Sequence, residues 1–379
     1  MKKILFLLED LRYGGVEMSF VNLVNAIDGH KITLLTWGKE DALSCKLKNK
    51  NIRIKRIPPF ISNSLYSFLK LFIKPEKATM YKTWVNKLLI HFHLVLTQYD
   101  VTINYHYKNN ASLLRTLKKN GNFVAWYHSS KYYDYHFQEK YTHKYNKIVV
   151  VNDLCAEVIC RHNPALTDKI TSIENLVPYS EIMEKSKIGE DLFEKDCFNI
   201  VTCARLDQEK GIDTAVEACR ILKEKISGFK WYLIGDAIDS KKEYENQIKE
   251  LIKKYELEDT FILLGSKQNP FPYFAQCDLY VQPSKEEACP LTTTEAQVCG
   301  AVIVATDTVG ARHLIKNGET GIITDNNPDA LAEGIYEMYN DNEKRNFISE
   351  NVKKLDFEES NQKILNKFYD LIGVTTDRE

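Results

Sequence analysis

The chain has 379 residues, of which 44% are hydrophobic and 27% are charged. This length and balance exclude a disordered polymer and a single small core, and they suit two α/β domains of about 180 residues each. The formal net charge of -1 excludes a general attraction to nucleic acid or to an anionic membrane. Any such attraction must come from a local cluster of charge.

The cysteines and the apolar runs of the chain indicate the cellular compartment in which the protein resides. The nine cysteines include no Cys-x-x-Cys pair, and several, such as Cys203 and Cys299, lie in apolar runs. We therefore expect small buried thiols in a reducing compartment. The first apolar run ends at Glu9, which favours a β-strand over a signal peptide, and no run approaches the ~18 apolar residues of a membrane span. We expect a cytoplasmic protein.

The first half of the chain alternates strands with helices. A Gly14-Gly15 turn leads from the first strand into a helix, and a long helical stretch is expected at about 61–96. Because the strand segments are continuous apolar runs, they predict a parallel sheet covered on both faces. The predicted strands are 4–8, 32–37, 52–57, 101–105, 122–128, 147–152 and 169–175.

The second half repeats the pattern after a polar, charged segment. Strands are predicted at 198–206, 231–235, 261–265, 279–283, 301–306 and 321–324. The predicted fold class is α/β, with two Rossmann-like doubly wound domains facing across a cleft. The predicted boundaries are 1–178 for the N-terminal domain, 179–196 for a linker, 197–356 for the C-terminal domain and 357–379 for a helix that packs back on the N-terminal domain.

The stretch 282–300 combines acidic residues with a helix start. Glu287 and Glu295 flank Pro290, Leu291 and Thr292, a segment that predicts a loop entering a helix. Free N–H groups and the positive end of the helix dipole would suit a phosphate there. Glu295 would lie one turn inside the helix, within reach of ribose hydroxyls, and Glu287 on the loop where open α/β sheets bind ligands. The alternative is two solvated carboxylates around a helix start.

Two cations follow the first strand of the second domain. Arg205 and Lys210 lie five positions apart and could both reach one diphosphate, Arg with a planar fork of donors and Lys with a point charge. They would neutralise the charge that builds on a leaving nucleotide, which can replace a metal ion. The alternative is an exposed arginine and lysine on a surface loop.

In this region the chain resembles the family-4 retaining glycosyltransferases of the GT-B fold. The resemblance covers 198–325 in order and spacing, and Ala237 departs from it where the family often has glycine. In the first domain it is thinner. The matching pieces are Arg205-x4-Lys210-Gly211, Leu233-Ile234-Gly235-Asp236, Phe261-x3-Gly265, Pro283-Ser284-x2-Glu287-x7-Glu295, Gly310, Gly318-x2-Gly321, Gly14-Gly15-x-Glu17, Trp126-Tyr127-His128-Ser129 and Ile173-x-Asn175-x2-Pro178.

The resemblance implies roles in donor binding. Arg205 and Lys210 would bind the diphosphate, and Glu295 the ribose. Glu287 would face the transferred sugar, with backbone N–H groups around Pro290, Leu291 and Thr292. Gly235 would shape the nucleotide loop and Lys267 would lie near the base.

The resemblance also implies two roles in the first domain. Gly15 would let its loop approach the donor phosphate, which a Cβ would obstruct. His128 would line the acceptor or sugar pocket. The alternative for His128 is a half-buried polar residue at a strand end.

The implied reaction is retaining hexosyl transfer without a cofactor or a metal. The donor would be a nucleotide-diphosphate sugar, UDP more than GDP, and the acceptor a glycan or lipid-linked hydroxyl in bacterial surface polysaccharide or glycoconjugate assembly. A catalytically silent GT-B partner subunit is the alternative, but it would have lost residues such as Arg205, Lys210 or Glu295. A dehydrogenase would need Gly-x-Gly-x-x-Gly after the first strand, and the turn here lacks that spacing.

Residues 46–88 form a basic, aromatic stretch. It contains eleven Lys or Arg and one acid, Glu76, interleaved with Phe60, Tyr66, Phe68, Phe72 and Trp84. This composition suits an anionic bilayer and raises the hypothesis of docking on the inner face of the cell membrane. The alternative is an amphipathic helix with a solvated basic face. Nucleic acid is not expected, because no recognised binding motif accompanies the charge.

Overall fold

A computed structural model describes most of the chain as two compact units. The first comprises Met1–Leu176 with Gln362–Glu379, and the second Val177–Asn361. Phe60, Glu76, Lys82, Trp84 and Lys87 of the basic stretch lie outside the described residues. The described residues are 1–57, 64, 66–74, 77–78, 81, 85–86, 88–90, 93, 96–106, 122–130, 144–189, 192–238 and 241–374.

The first unit contains a seven-stranded parallel sheet in the order β3-β2-β1-β4-β5-β6-β7. Helices cross between strands, among them α1 (Gly15–Ala26) and α2 (Asp153–His162). Because both faces are covered, the central strands are almost wholly apolar, as in β1, which is buried from Ile4 to Leu7. The strands are β1 (Lys3–Leu7), β2 (Lys31–Thr36), β3 (Ile52–Arg56), β4 (Val101–Asn104), β5 (Asn122–Tyr127), β6 (Lys147–Val150) and β7 (Ile170–Ser172).

The second unit contains a six-stranded parallel sheet in the order β10-β9-β8-β11-β12-β13. Its strands are β8 (Phe198–Cys203), β9 (Phe229–Ile234), β10 (Phe261–Gly265), β11 (Leu279–Gln282), β12 (Ile303–Thr306) and β13 (Ile322–Thr324). Its helices are α3 (Tyr179–Ser186), α4 (Ile212–Lys225), α5 (Lys242–Lys254), α6 (Phe271–Gln276), α7 (Leu291–Val298), α8 (Val309–Leu314), α9 (Pro328–Asn340) and α10 (Asn342–Val352).

The second sheet is covered on both faces by separate apolar clusters. One cluster includes α4, α5 and α9, with Trp231 of the sheet fully buried in it. The other includes α6, α7 and α8, with Tyr280 of the sheet. Helices on both faces of a parallel sheet make this unit doubly wound, as the first unit is.

The last helix, α11 (Phe357–Leu371), carries the chain from the second unit into the first. Phe368 is fully buried. Its ring centroid lies 6.5 Å from that of Phe6 in β1 and 6.3 Å from that of Trp126 in β5. The core of the first unit is therefore completed by residues from the end of the chain.

Two expectations from the sequence differ from the structure. The segment 179–196, predicted as a linker, contains α3, whose Ile182 is fully buried within the second unit. A short helix with one apolar face was hidden by the high charge of the segment. The cysteines are free thiols, but only Cys155 and Cys219 are buried and Cys45 is exposed. Within the described residues, no helix has the length and apolar character to span a membrane.

Candidate active site

The site of the second unit lies where the strand order reverses. From β8 the chain passes to β9 and β10 on one side, and then to β11 on the other side. The loops that leave β8 and β11 therefore diverge at their carboxyl ends, where open α/β sheets bind ligands. Arg205 and Lys210 follow β8, and Glu287 follows β11.

Two glycines hold these loops against each other. Gly211 has φ +62°, and a Cβ there would lie 1.9 Å from the carbonyl oxygen of Pro283. Gly235 has φ +138°, and a Cβ there would lie 2.0 Å from the carbonyl oxygen of Ala204. Both positions need the left-handed backbone and the missing side chain that only glycine supplies. The loop after β8 is thus packed between the loops after β9 and β11.

Lys210 and Glu287 form the central contact of the site. Lys210 Nζ lies 2.6 Å from Glu287 Oε1, and the two side chains are 22% and 11% exposed. Gln282 Nε2 and Ser284 Oγ donate to the same oxygen at 2.9 and 3.0 Å. Oε1 is thereby held by three donors, whereas Oε2 accepts no hydrogen bond from the described residues. The carboxylate is fixed through one oxygen and leaves the other for a ligand.

Sequence reasoning missed Gln282 and Ser284 as partners of Glu287. Both are buried, with exposures of 7% and 1%. A buried glutamine at the end of an otherwise apolar strand is a signal, because buried amides need hydrogen-bond partners. Gln282 lies five residues before Glu287, so the loop carboxylate is among the acceptors that such a signal could have suggested.

The start of α7 agrees with the predicted loop-to-helix transition. Pro290 precedes the helix, and no side chain caps its first turn. The N–H groups of Leu291 and Thr292 therefore have no acceptor within the helix. Gly310 N donates to the carbonyl oxygen of Glu287 at 2.9 Å. This bond ties the loop before α7 to the start of α8.

Glu295 lies in the second turn of α7 and is half-buried. Burial, and next the negative charge of Glu295, raises the pKa of the Cys299 thiol to about 12. The same two causes raise the pKa of Cys203, the last residue of β8. The charge of Glu295 therefore acts at the end of β8, two residues before Arg205.

Arg205 and Lys267 are exposed, and both follow parallel strands of the same sheet. Arg205 comes after β8 and Lys267 after β10, so both lie at the edge formed by the carboxyl ends of the strands. Asp236 Oδ2 accepts a hydrogen bond from Ser266 N at 2.9 Å, which joins the loops after β9 and β10. Arg205, Lys210, Lys267 and Glu287 thus all follow the carboxyl ends of strands of this sheet, and Glu295 lies in the helix that comes after Glu287.

Gly14 and Gly15, which follow β1, differ in the space that the structure leaves for a Cβ atom. A Cβ on Gly14 would lie 2.3 Å from Glu17 Oε2, whereas a Cβ on Gly15 would meet no atom within 4 Å. Gly15 is exposed and has no positive φ. A Cβ on Gly14 would therefore displace the Glu17 carboxylate, whereas the fold of the first unit places no demand on Gly15.

His128 follows β5 and lies beside Tyr105, which follows the neighbouring β4. The two ring centroids are 4.7 Å apart. His128 Nε2 is buried and has no hydrogen-bond partner among the described residues. Burial, and next the charge of His106, lowers the pKa of His128 to about 3. The imidazole is therefore neutral at physiological pH and retains unused hydrogen-bonding capacity.

A cavity of about 480 Å³ adjoins the site on the α4–α5 flank but contains none of the predicted site residues. Lys285 lines it and pairs with Asp213 at 2.6 Å. Among the residues that the structure describes, no group of three or more His, Cys, Asp or Glu is arranged to hold a metal ion. The predicted donor site and this cavity are separate features of the second unit.

Comparison with known proteins bears on this arrangement. Residues 184–355 match the family model Glycosyl transferases group 1. This range contains the whole second sheet with Arg205, Lys210, Glu287 and Glu295. The match and the relatives below support the group 1 glycosyltransferase family.

The curated relatives share part of their length with this chain. An uncharacterized glycosyltransferase of Methanocaldococcus jannaschii is 24% identical over 63% of this chain and 64% of its own. The Campylobacter jejuni N-acetylgalactosamine-N,N'-diacetylbacillosaminyl-diphospho-undecaprenol 4-alpha-N-acetylgalactosaminyltransferase is 27% identical over 49% of this chain and 48% of its own. The chain thus spans about half to two thirds of the length of these relatives.

Solved structures bear on the fold. HepE of Anabaena, determined in complex with UDP-glucose, superposes with a TM-score of 0.76 at 18% identity, covering 98% of this chain and 100% of HepE. At this identity the likeness shows the fold alone. The prediction of two Rossmann-like domains of the GT-B class is confirmed.

Proposed function

We propose that this chain is a retaining glycosyltransferase. It transfers a sugar from a nucleotide-diphosphate donor, UDP more than GDP, to a hydroxyl of a glycan or lipid-linked acceptor. It works without a metal ion, in bacterial surface polysaccharide or glycoconjugate assembly. The Campylobacter relative is named for an acceptor that carries a diphospho-undecaprenol, which supports this class of acceptor.

The observation that carries the proposal is the Lys210–Glu287 contact at the strand-order reversal. A cation for a phosphate and a carboxylate for sugar hydroxyls lie 2.6 Å apart. A donor needs both groups close together, because its anomeric carbon is bonded directly to the diphosphate. The spacing suits a nucleotide sugar better than a free nucleotide or a free sugar.

In this proposal each group acts on one part of the donor. Lys210 and Arg205 bind the diphosphate, assisted by the N–H groups of Leu291 and Thr292. Glu295 accepts hydrogen bonds from the ribose. Glu287 accepts from a hydroxyl of the transferred sugar through Oε2, because Oε1 is already engaged.

The reaction forms a bond between the acceptor oxygen and the anomeric carbon and breaks the bond from that carbon to the phosphate oxygen. The acceptor attacks from the face that the nucleotide leaves, and its proton passes to the departing phosphate oxygen. Catalysis then rests on positioning and on stabilising the leaving diphosphate by Arg205 and Lys210. This accounts for retention of anomeric configuration without a protein nucleophile.

The first unit would contribute to the acceptor side. A neutral His128 with an unpaired buried nitrogen can donate or accept one hydrogen bond with an acceptor or sugar hydroxyl. Gly15 would allow close approach of a donor phosphate, which explains a glycine that the fold does not require. Lys267 would lie near the base, and Gly235 shapes the loop beside it.

The test is binding and turnover of a panel of UDP- and GDP-sugars by the purified full chain. A donor should raise the melting temperature and release nucleoside diphosphate, and Lys210→Met should abolish both effects. Lys285→Met is the matched control, because Lys285 lies on the same loop as Glu287 but pairs with Asp213 of α4 and lines the separate cavity. If Lys210→Met binds every tested donor as wild type does, the proposed site is wrong.

Retention of configuration, metal independence and catalytic competence are each tested by a separate experiment. Retention is tested by the anomeric configuration of the product, read by NMR coupling constants. Metal independence is tested by the rate in excess EDTA, which should equal the untreated rate. A chain that binds donor but transfers to no acceptor would favour a silent partner subunit.

A further inference from the structure

Exposed apolar side chains are concentrated in one short region of the first unit. Among the described residues, six of the eleven exposed large hydrophobic side chains lie between 68 and 96. Three of them occur within five residues: Phe68, Leu71 and Phe72 are 59%, 76% and 71% exposed. Scattered single apolar residues are normal on a surface, but a contiguous group marks an interaction site.

These three side chains share one side of a helical segment. The N–H of Lys70 bonds to Tyr66 O at 3.0 Å and that of Ile73 to Leu69 O at 2.9 Å, so residues 66–73 follow helical turns. Positions 68, 71 and 72 are neighbours at helical spacing, whereas Leu69 and Ile73 are half-buried. The rings of Phe68 and Phe72 lie 5.2 Å apart, which makes a preformed apolar surface.

Cations surround this surface. Lys70, Lys74 and Lys77 are all exposed, and Lys70 Nζ lies 5.4 Å from the centre of the Tyr66 ring. The edge strand β3 adds exposed Arg53 to the same unit, whereas its exposed Arg56 pairs with Asp41. No acidic residue occurs among the described positions between 42 and 99.

We propose that the segment 66–74, together with Lys77, binds the surface of an anionic bilayer, with Phe68, Leu71 and Phe72 inserted among the acyl chains and Lys70, Lys74 and Lys77 among the headgroups. The exposed apolar side chains match the acyl-chain layer of such a surface, and the lysines beside them match its anionic headgroup layer. A protein partner would need acids to match these lysines, whereas anionic headgroups supply that charge over the whole surface. This inference does not depend on the proposed enzymatic activity.

The experiment is cosedimentation of the full chain with vesicles, without donor or acceptor. We expect binding to vesicles of phosphatidylcholine mixed with phosphatidylglycerol, and little binding to phosphatidylcholine alone. Lys70→Glu/Lys74→Glu/Lys77→Glu should lower the partition coefficient by at least about a hundredfold, since each lysine near such a surface contributes about fivefold. Phe68→Ser/Phe72→Ser should lower it about tenfold or more per ring.

Matched controls come from exposed residues of the second unit. Lys253→Glu/Lys254→Glu/Lys316→Glu makes the same change of charge, and Ile188→Ser/Phe347→Ser removes comparable exposed apolar area. Both should bind vesicles as wild type does. Equal losses in the control and test variants, or equal binding to neutral and anionic vesicles, would overturn the proposal.

A second copy of the chain is the competing occupant of this surface. Sedimentation velocity without vesicles distinguishes the two. A monomer that binds anionic vesicles supports the proposal. A dimer that Phe68→Ser/Phe72→Ser converts to a monomer, without vesicle binding, would assign the surface to self-association.

Discussion

Lys210 and Glu287 meet at 2.6 Å although they are 77 positions apart in the chain. The contact joins the loops that follow β8 and β11, the two strands between which the strand order reverses. It brings a phosphate-binding charge and a sugar-binding charge into one place.

Removing Lys210 and Glu287 together should cost little more than removing the more damaging one alone. Each single variant, Lys210→Met or Glu287→Ala, should lower kcat/KM at least about a hundredfold, because each leaves the partner charge unpaired in a partly buried site. The measurement is a double-mutant cycle on kcat/KM for the best donor. Additive losses would show that the two residues act on the donor independently.

Gln282 and Ser284 should act as positioning residues for Glu287. Gln282→Leu removes one donor to Oε1, so the carboxylate turns more freely and its alignment with the sugar weakens. We expect kcat/KM to fall by about tenfold for Gln282→Leu, consistent with one hydrogen bond to a charged group, and the Kd for free UDP to remain unchanged. Ser284→Thr, which keeps the hydroxyl, is the conservative control, and an equal loss in that variant would contradict a role through hydrogen bonding.

Gly14 and Gly15 should respond oppositely to alanine. Gly15→Ala leaves the free energy of unfolding unchanged or raises it by up to about 1 kcal/mol, because the site is open and alanine favours helix. It should nevertheless weaken donor binding. Gly14→Ala should lower stability, since its Cβ would displace Glu17. Urea unfolding and donor titration of both variants test this, and unaltered donor affinity in Gly15→Ala would remove Gly15 from the site.

His128 should make the first unit less stable in acid. Its pKa is about 3 in the folded state and about 6.5 when unfolded, so between these values the unfolded chain binds the extra proton. The contribution of neutral His128 to the free energy of unfolding is therefore fully present above pH 6.5. It decreases as the pH falls towards 3, by at most about 1.4 kcal/mol per pH unit. His128→Asn should show a shallower decline in urea unfolding. An identical decline would mean that another group titrates.

The C-terminal helix should be required for the stability of the first unit. Phe368→Ala should lower the free energy of unfolding by about 3–5 kcal/mol, as expected for a fully buried phenylalanine. Phe347→Ala, at a 53% exposed position, is the control and should change it by less than about 0.5 kcal/mol. Thermal and urea unfolding of both variants would measure the difference.

Much of the fold could be predicted because parallel strands buried on both faces are continuous apolar runs. Each of the thirteen predicted strands has a counterpart in the structure. The strand ends are predicted less accurately. The first strand of the second unit is expected at 198–206 but ends at Cys203 in the structure. Helix α3 was missed because its charged residues outnumber its buried ones, so composition favoured a linker.

The candidate site was partly accessible to sequence reasoning. Residues that follow parallel strands must share an edge of the sheet, which places Arg205, Lys210 and Glu287 at the same edge. The direction of each side chain within its loop depends on tertiary packing, and therefore the hydrogen bonds from Gln282 and Ser284 to Glu287 could not be derived. The roles predicted for these residues stay predictions until a donor is bound.

The crossing of α11 into the first unit has a consequence for biosynthesis. A ribosome makes β1 and β5 first, but Phe6 and Trp126 gain their contact with Phe368 only after residue 368 has been made. During translation the first unit therefore keeps part of its apolar core exposed. Residues 177–361 are continuous in sequence and can complete their own core earlier. The half of the protein that is made first is the half that finishes folding last.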